Sequence, residues 1–315
     1  MNSNKATLIG LSAVVLWSAI VGLIRGVSEH LGATGGAAAI YTVASVILLF
    51  AVGFPRLSSF PRTYLLWGSL LFVAYELCLS LSIGYAHTGR QAIEVGMVNY
   101  LWPTFTMIAA ILFGGQRASL LVVPGFLLSM LGICWVLGGD QGLDPAGMLL
   151  NIQDNPLSYG LAFAGALIWA AYCTVTTRMA AGKNGVTPFF MLVALALWGK
   201  FLWGGQVQAL SWSLPALFYL LLAAAAMGLG YAAWNVGILH GRVTVLAGAS
   251  YFIPVLSSAL SALLLRTPLP AAFWVGAALV CAGSILCWRA TRSPGRTAIT
   301  PKAARPRPED PAQNL

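Results

Sequence analysis

Glu94–Thr104, EVGMVNYLWPT, places Asn99, Tyr100, Trp102 and Pro103 inside an otherwise apolar run long enough to cross a bilayer. Pro103 has no N–H and clashes with the carbonyl one turn earlier. A helix running through it is therefore expected to kink and leave the Asn99 carbonyl unpaired. In hydrocarbon such a carbonyl needs a partner, from a neighbouring helix or a wet cavity. A packing kink re-satisfied by a nearby Ser or Thr fits equally well. Elsewhere in apolar runs lie Trp17, Trp169, Tyr172, Tyr231, Trp234 and Tyr251, whose rings can stack on a flat ligand or face a cation. Packing alone would account for any single one of them. The amides of Asn99 and Asn235 and the hydroxyl of Ser82 can donate, and a carbonyl freed by Pro254 at Ser250 can accept. Glu76 is the one carboxyl deep in an apolar run, either a functional charge or a protonated acid bonded between helices.

These residues need a membrane to position them. The chain has 315 residues, 59% hydrophobic and 8% charged, with mean hydropathy +0.82, which excludes an ordinary soluble domain. Windows of about 20 residues give ten spans: Ala6–Gly26, Thr34–Gly53, Tyr64–Tyr85, Ala92–Phe113, Ser119–Leu137, Leu157–Thr177, Thr187–Gly205, Leu214–Ile238, Val243–Leu265 and Ala271–Trp288. The first reads as a retained span, with no small-residue cleavage signature. The fold class is thus an all-α membrane protein.

Orientation follows from the basic residues. With the amino terminus inside, Lys5, Arg56, Arg62, Arg117, Arg178, Lys183, Arg242, Arg289, Arg292, Arg296, Lys302, Arg305 and Arg307 all fall inside, against Arg25, Arg90 and Arg266 outside. Lys200 lies within a span, close enough to its end to snorkel. Both termini are expected in the cytoplasm. The net charge of +9 is explained by this bias, with no basic patch for nucleic acid. The five cysteines lack ligand spacing and say nothing of disulfides, and no metal is expected. Arg90–Glu94 and Arg25–Glu29 read as surface i,i+4 pairs, and His30, His87 and His240 as solvated residues at span ends. Gly125, Ser129 and Gly132, with Ala278 and Ala282, read as close helix contacts.

The two halves of the chain repeat. An offset of about 152 sets Trp17 on Trp169, His87–Arg90 near His240–Arg242, and Tyr100–Pro103 (YLWP) over Tyr251–Pro254 (YFIP). With five spans each, the second copy is inverted, and the midspan residues gather at the repeat interface. Ser82 and Asn235 then occupy corresponding faces of the third and eighth spans. The expected organisation is a first five-helix repeat over 1–138, an external connection over 139–156, a second, inverted repeat over 157–290, and a disordered basic tail over 291–315.

Lys5–Glu29 (KATLIGLSAVVLWSAIVGLIRGVSE), Gln91–Thr106 (QAIEVGMVNYLWPTFT), Cys134–Leu143 (CWVLGGDQGL), Leu167–Arg178 (LIWAAYCTVTTR), Tyr231–Gly241 (YAAWNVGILHG) and Ser250–Leu260 (SYFIPVLSSAL) resemble the drug/metabolite transporter superfamily with its paired EamA-type repeats. Within it they are similar to the YddG-type aromatic amino acid exporters. The resemblance covers residues 1–290. It implies ten helices around a central cavity, a bacterial inner membrane, and export of aromatic amino acids by alternating access. The residues expected at that cavity are Trp17, Glu76, Ser82, Asn99, Tyr100, Trp102, Pro103, Trp169, Tyr231, Asn235, Ser250, Tyr251 and Pro254. Aromatic rings would form the slot, Glu76 and freed carbonyls would meet the ammonium, and amides would meet the carboxylate. No cofactor is implied, the partners are the substrate and the lipid bilayer, and oligomeric state is not legible.

Export of flat cationic drugs, with or without proton exchange, is the alternative. The small multidrug exporters of the superfamily carry a glutamate in the first span, which Leu8–Ile24 lacks. A nucleotide-sugar carrier would need cations within spans, where only Lys200 lies. Catalysis would need a nucleophile–base pair or a ligand cluster, and none is legible. No GxxxxGK[ST] motif is present for nucleotide.

Overall fold

A computed structural model describes residues 2–113, 118–204 and 210–291. The tail expected to be disordered lies, from residue 292 on, outside the described residues. The chain runs through α1 (Ser3–Ser18), α2 (Ile20–Leu31), α3 (Ala33–Ala51), α4 (Arg62–Gly84), α5 (Gly89–Asn99), α6 (Trp102–Leu112) and α7 (Val122–Leu137). It continues through α8 (Pro145–Asp154), α9 (Pro156–Met179), α10 (Val186–Trp203), α11 (Leu214–His240), α12 (Val243–Ser250), α13 (Ile253–Leu264) and α14 (Ala271–Thr291). There is no strand among the described residues.

Among the described residues seven helices are long and apolar enough to cross a membrane, or eight if the bent pair α1 and α2 counts as one. α5 and α6 together make one of the seven. The fifth and ninth expected spans fall short of that criterion: α7 has 16 residues, and α12 and α13 have 8 and 12. Outward-facing leucines and valines such as Leu66 and Leu70 on α4, or Val123, Leu127 and Leu131 on α7, recur at i,i+4. That spacing is a lipid-facing stripe. The structure is thus a multi-pass all-helical membrane protein.

Three of the expected spans are interrupted. α1 and α2 meet at Ala19 with a bend of 42°. α5 ends at Asn99, and α6 begins at Trp102 with Pro103 in its first turn. α12 ends at Ser250, and α13 begins at Ile253 with Pro254 in the matching position. This corrects the expected proline kinks. Each proline opens a new helix, where a missing N–H costs nothing. At the first break, carbonyls are taken up locally: Tyr100 N–H donates to Gly96 O and Met97 O, and Leu101 N–H to Val98 O. Ser250 is buried and has an interaction of its own.

Packing pairs α7 with α14, α4 with α9, α1 with α11, and α3 with α10. The α7–α14 contact is backbone on backbone. A Cβ on Gly132 would lie 2.7 Å from both Gly276 O and Val280 N, and one on Gly125 would lie 2.8 Å from Cys287 N. The expected contacts of Gly125, Ser129 and Gly132 are therefore present, but Ala278 and Ala282 are exposed on the far side of α14. Gly276 and Gly283, seven residues apart, take their place. Thr104 Oγ1 on α6 ties into this pair, 3.0 Å from Ser129 Oγ and 3.3 Å from Ser284 Oγ.

At one end of the bundle, polar groups knit α5, α8 and α9. Glu94 is buried, which corrects the surface reading of its pair with Arg90. Its Oε1 lies 3.0 Å from Arg90 Nε, and its Oε2 accepts from Tyr159 Oη at 2.9 Å and Asn151 Nδ2 at 3.4 Å. Arg90 also reaches Asp140 at 2.8 Å. Asp154, at the end of α8, accepts from Gln91 and pairs with His87, contacts that hold its carboxyl below the ordinary range. Arg25 pairs with Glu29 at 2.9 Å as expected, and it also donates to the carbonyls of Ala86 and His87. The connection over 139–156 is thus not bare: it folds into α8 and docks.

Asn151 fixes that docking, donating also to Leu137 O at 3.0 Å. Asn151→Ala is expected to weaken it by about 1 kcal/mol. Limited proteolysis within 138–155 should then run about five times faster, and an unchanged cleavage rate would show that Asn151 does not hold α8.

Candidate functional site

α1, α2, α4, α5, α6, α9, α11 and α13 enclose a cavity of about 240 Å³. Of the residues expected there, Trp17, Glu76, Asn99, Tyr100, Trp102, Trp169 and Tyr231 line it. Trp234, noted with the aromatics, lines it too. Ser82, Pro103, Asn235, Ser250, Tyr251 and Pro254 do not. Ser82 is buried and donates to Leu79 O at 2.8 Å. Tyr251 packs its ring 5.9 Å from that of Trp288 on α14. Pro103 and Pro254 are both buried in the first turn of their helices, neither facing lipid. Tyr172 packs against Trp169 with its ring tilted, centroids 5.0 Å apart.

The cavity walls are two aromatic groups. Trp17 on α1 meets Tyr231 and Trp234 on α11, at 5.2 and 5.1 Å between centroids. In the second group, Trp169 on α9 meets Tyr75 on α4 at 4.4 Å and Trp102 on α6 at 6.2 Å. Gly230 makes room for the first group: a Cβ there would lie 2.6 Å from Trp17 Nε1. That indole N–H is buried without a hydrogen-bond partner.

Glu76 supplies the polar floor. It is fully buried, accepting from Tyr41 Oη at 2.5 Å and from Tyr231 Oη at 2.7 Å. Ser80 donates in turn to Tyr41 Oη at 3.1 Å. Glu76 therefore ties α4 to α3 and to α11. Asn99, also buried, donates to Ala162 O at 3.3 Å and lies 3.5 Å from Tyr75 Oη. With these partners its amide positions α5 against α9, more than it reaches into the cavity.

Sequence reasoning missed several residues of the wall, among them Tyr75, Cys173 and Met227. Tyr75 precedes Glu76 and Cys173 follows Trp169 by one turn, so helical spacing from recognised residues was the available signal. Tyr41 had none, lying 35 residues from Glu76. Among the described residues no three His, Cys, Asp or Glu side chains gather to hold a metal.

A multi-pass helical bundle broken at midspan, with an aromatic cavity between its helices, has the build of a membrane transporter. Residues 156–289 match the EamA-like transporter family. The aromatic amino acid exporter YddG of Salmonella typhimurium (strain 14028s / SGSC 2262) is 59% identical over 292 residues, covering 93% of this chain and 99% of its own. The protein of the same name from Escherichia coli (strain K12) gives the same identity and coverage. The chain therefore belongs to the YddG-like branch of the EamA-type transporters. A solved crystal structure, 22% identical, superposes with a TM-score of 0.64 over 91% of this chain and 99% of its own. At that identity it shows the shared fold.

Proposed function

We propose that the chain exports aromatic amino acids, by alternating access through the cavity between α1, α4, α9 and α11. The observation that carries this reading is the pair of aromatic groups lining one cavity, Trp17–Tyr231–Trp234 and Tyr75–Trp169–Trp102, with Glu76 beside them. At about 240 Å³ the space is smaller than most drug-sized sites, which begin near roughly 300 Å³. A compact flat ligand suits it better than a bulky cation. The names of the relatives give the same substrate class.

In this reading the chain has ten spans in two inverted five-helix repeats, 1–138 and 157–290, joined at 139–156. Three features support it. The breaks at Tyr100–Leu101 and Tyr251–Phe252 have matching prolines 151 positions apart. Exchange of the halves interconverts the α4–α9 and α1–α11 packings and maps α3–α10 and α7–α14 onto themselves. The bias of the basic residues supports both termini in the cytoplasm, and the bacterial inner membrane follows from the likeness to the bacterial relatives. The protein acts as a carrier and not as an enzyme.

The ring of the substrate stacks against Trp169, and the ammonium lies toward Glu76 and the tyrosine oxygens. Proteoliposomes are expected to show saturable flux of labelled phenylalanine and tryptophan. Trp169→Ala should raise the half-saturating concentration about three- to tenfold, the worth of one lost aromatic pair. Flux of aromatic cations without any amino acid flux would replace this reading with drug export.

A further inference from the structure

We propose that a second binding site, a vestibule for the zwitterionic head group of the transported amino acid, lies between α6 and α9. The proposal rests on the transport reading and adds a site to it. A cavity of about 470 Å³ opens at the end of the bundle where α4 begins and α9 finishes, the end at which Tyr64 Oη lies 3.5 Å from Thr176 Oγ1. It shares Cys173 with the aromatic cavity. Two stripes at i,i+4 run from one cavity into the other: Trp102, Thr106 and Ala110 on α6, and Trp169, Cys173 and Thr177 on α9. Residues four apart share a helix face. The two cavities are therefore successive stations on one path.

The stations differ in chemistry. The inner one is aromatic, whereas the outer one carries Arg178 and the hydroxyls of Thr106, Thr174 and Thr177. Each hydroxyl already donates its hydrogen to a carbonyl of its own helix: Thr106 to Trp102 O at 2.7 Å, Thr174 to Ala170 O at 2.9 Å, and Thr177 to Cys173 O at 3.0 Å. What remains on each oxygen is acceptor capacity. Arg178 is exposed and has no ion pair among the described residues, so its five donors are open to an anion. A guanidinium facing three acceptors matches a carboxylate beside an ammonium. Such a vestibule captures the head group first and hands the ring inward to Trp169 and Trp102.

The test compares wild type, Arg178→Gln and Arg178→Lys in proteoliposomes with labelled phenylalanine, phenylalaninamide being the competitor that lacks the carboxylate. Arg178→Gln is expected to raise the half-saturating concentration roughly tenfold, with the saturated rate within about twofold of wild type. Competition by the amide should not change, and lysine should recover most of the loss. An unchanged half-saturation, or equal weakening of the amide, overturns the vestibule. Thr106→Val and Thr177→Val keep the test open if Arg178→Gln is not recovered folded. They remove acceptors, so phenylalanine should weaken while 3-phenylpropionate, which lacks the ammonium, competes as before. Loss of both together overturns the proposal. Wild-type protein without amino acid flux overturns the transport reading itself, and the vestibule with it, which separates the two failures.

Discussion

Glu76→Leu is expected to cut transport more than a hundredfold and to lower the melting temperature in detergent, whereas Glu76→Gln folds and keeps measurable flux. The carboxyl is fully buried, and both oxygens are taken, one by Tyr41 from α3 and one by Tyr231 from α11. Leucine leaves two buried hydroxyls without an acceptor, at about 1–3 kcal/mol each, or about 2–6 kcal/mol together. It also releases Tyr231, whose ring forms the cavity wall beside Trp17. Glutamine keeps one acceptor and offers an N–H₂ to the other phenol oxygen, so the geometry survives with one bond reversed. Flux of labelled tryptophan, run with and without an imposed pH gradient, separates the roles of this side chain. If glutamine transports as well as wild type under both conditions, Glu76 is a structural tie. If only the gradient-driven part is lost, it couples proton movement to export. A leucine variant with wild-type melting and flux would show that the two phenols find other acceptors.

The second large effect is expected at the contact of α7 with α14. Gly132→Leu should reduce the folded, monodisperse fraction after detergent extraction to a small residue, a loss of at least about 3 kcal/mol. A Cβ at that position falls 2.7 Å from Gly276 O and from Val280 N, both backbone atoms of a helix held along its length. Side chains can swing away from an added methyl, but backbone can yield only by moving α14 outward. That movement would also strip the Thr104–Ser129–Ser284 hydroxyl cluster from the joint. Gly160→Ala is the control, since nothing lies within 4 Å of the added carbon. Equal yields for the two variants would refute the close-packing account.

Much of this is legible in the sequence. Composition and window length announced a multi-pass helical protein, and large aromatic or ionisable residues at midspan, Trp17, Glu76, Trp169 and Tyr231, were conspicuous enough to be found as cavity residues. Rotation about the helix axis was not readable. Ser82 and Asn235 match at the offset read from the sequence, yet neither lines the cavity, because an offset aligns positions along a helix and not the direction in which they point. Ala278 and Ala282 fit a small-residue stripe as well as Gly276 and Gly283 do, and only packing against α7 selects the glycines. Pro103 and Pro254 marked the right places, but a proline is as compatible with the first turn of a new helix as with a kink. Which one occurs depends on neighbours far away in sequence. Glu94 sits four residues from Arg90, and the pairing was evident. Its burial was not, because it depends on Tyr159 and Asn151 arriving from the second half and the connection.

The short length of α7 has its own outcome for the surrounding lipid. Val122–Leu137 rises only about 24 Å at 1.5 Å per residue, whereas the hydrocarbon layer of a typical bilayer is roughly 30 Å thick. Its neighbour α14, with 21 residues, reaches about 31 Å on the same count. Acyl chains along the α7 edge therefore meet a lower apolar wall than those a helix diameter away. In the ten-span reading proposed above, the bilayer thins there. In that reading this edge of the molecule is where acyl-chain length in the host membrane is felt as local thinning, beside the joint that Thr104 makes with Ser129 and Ser284.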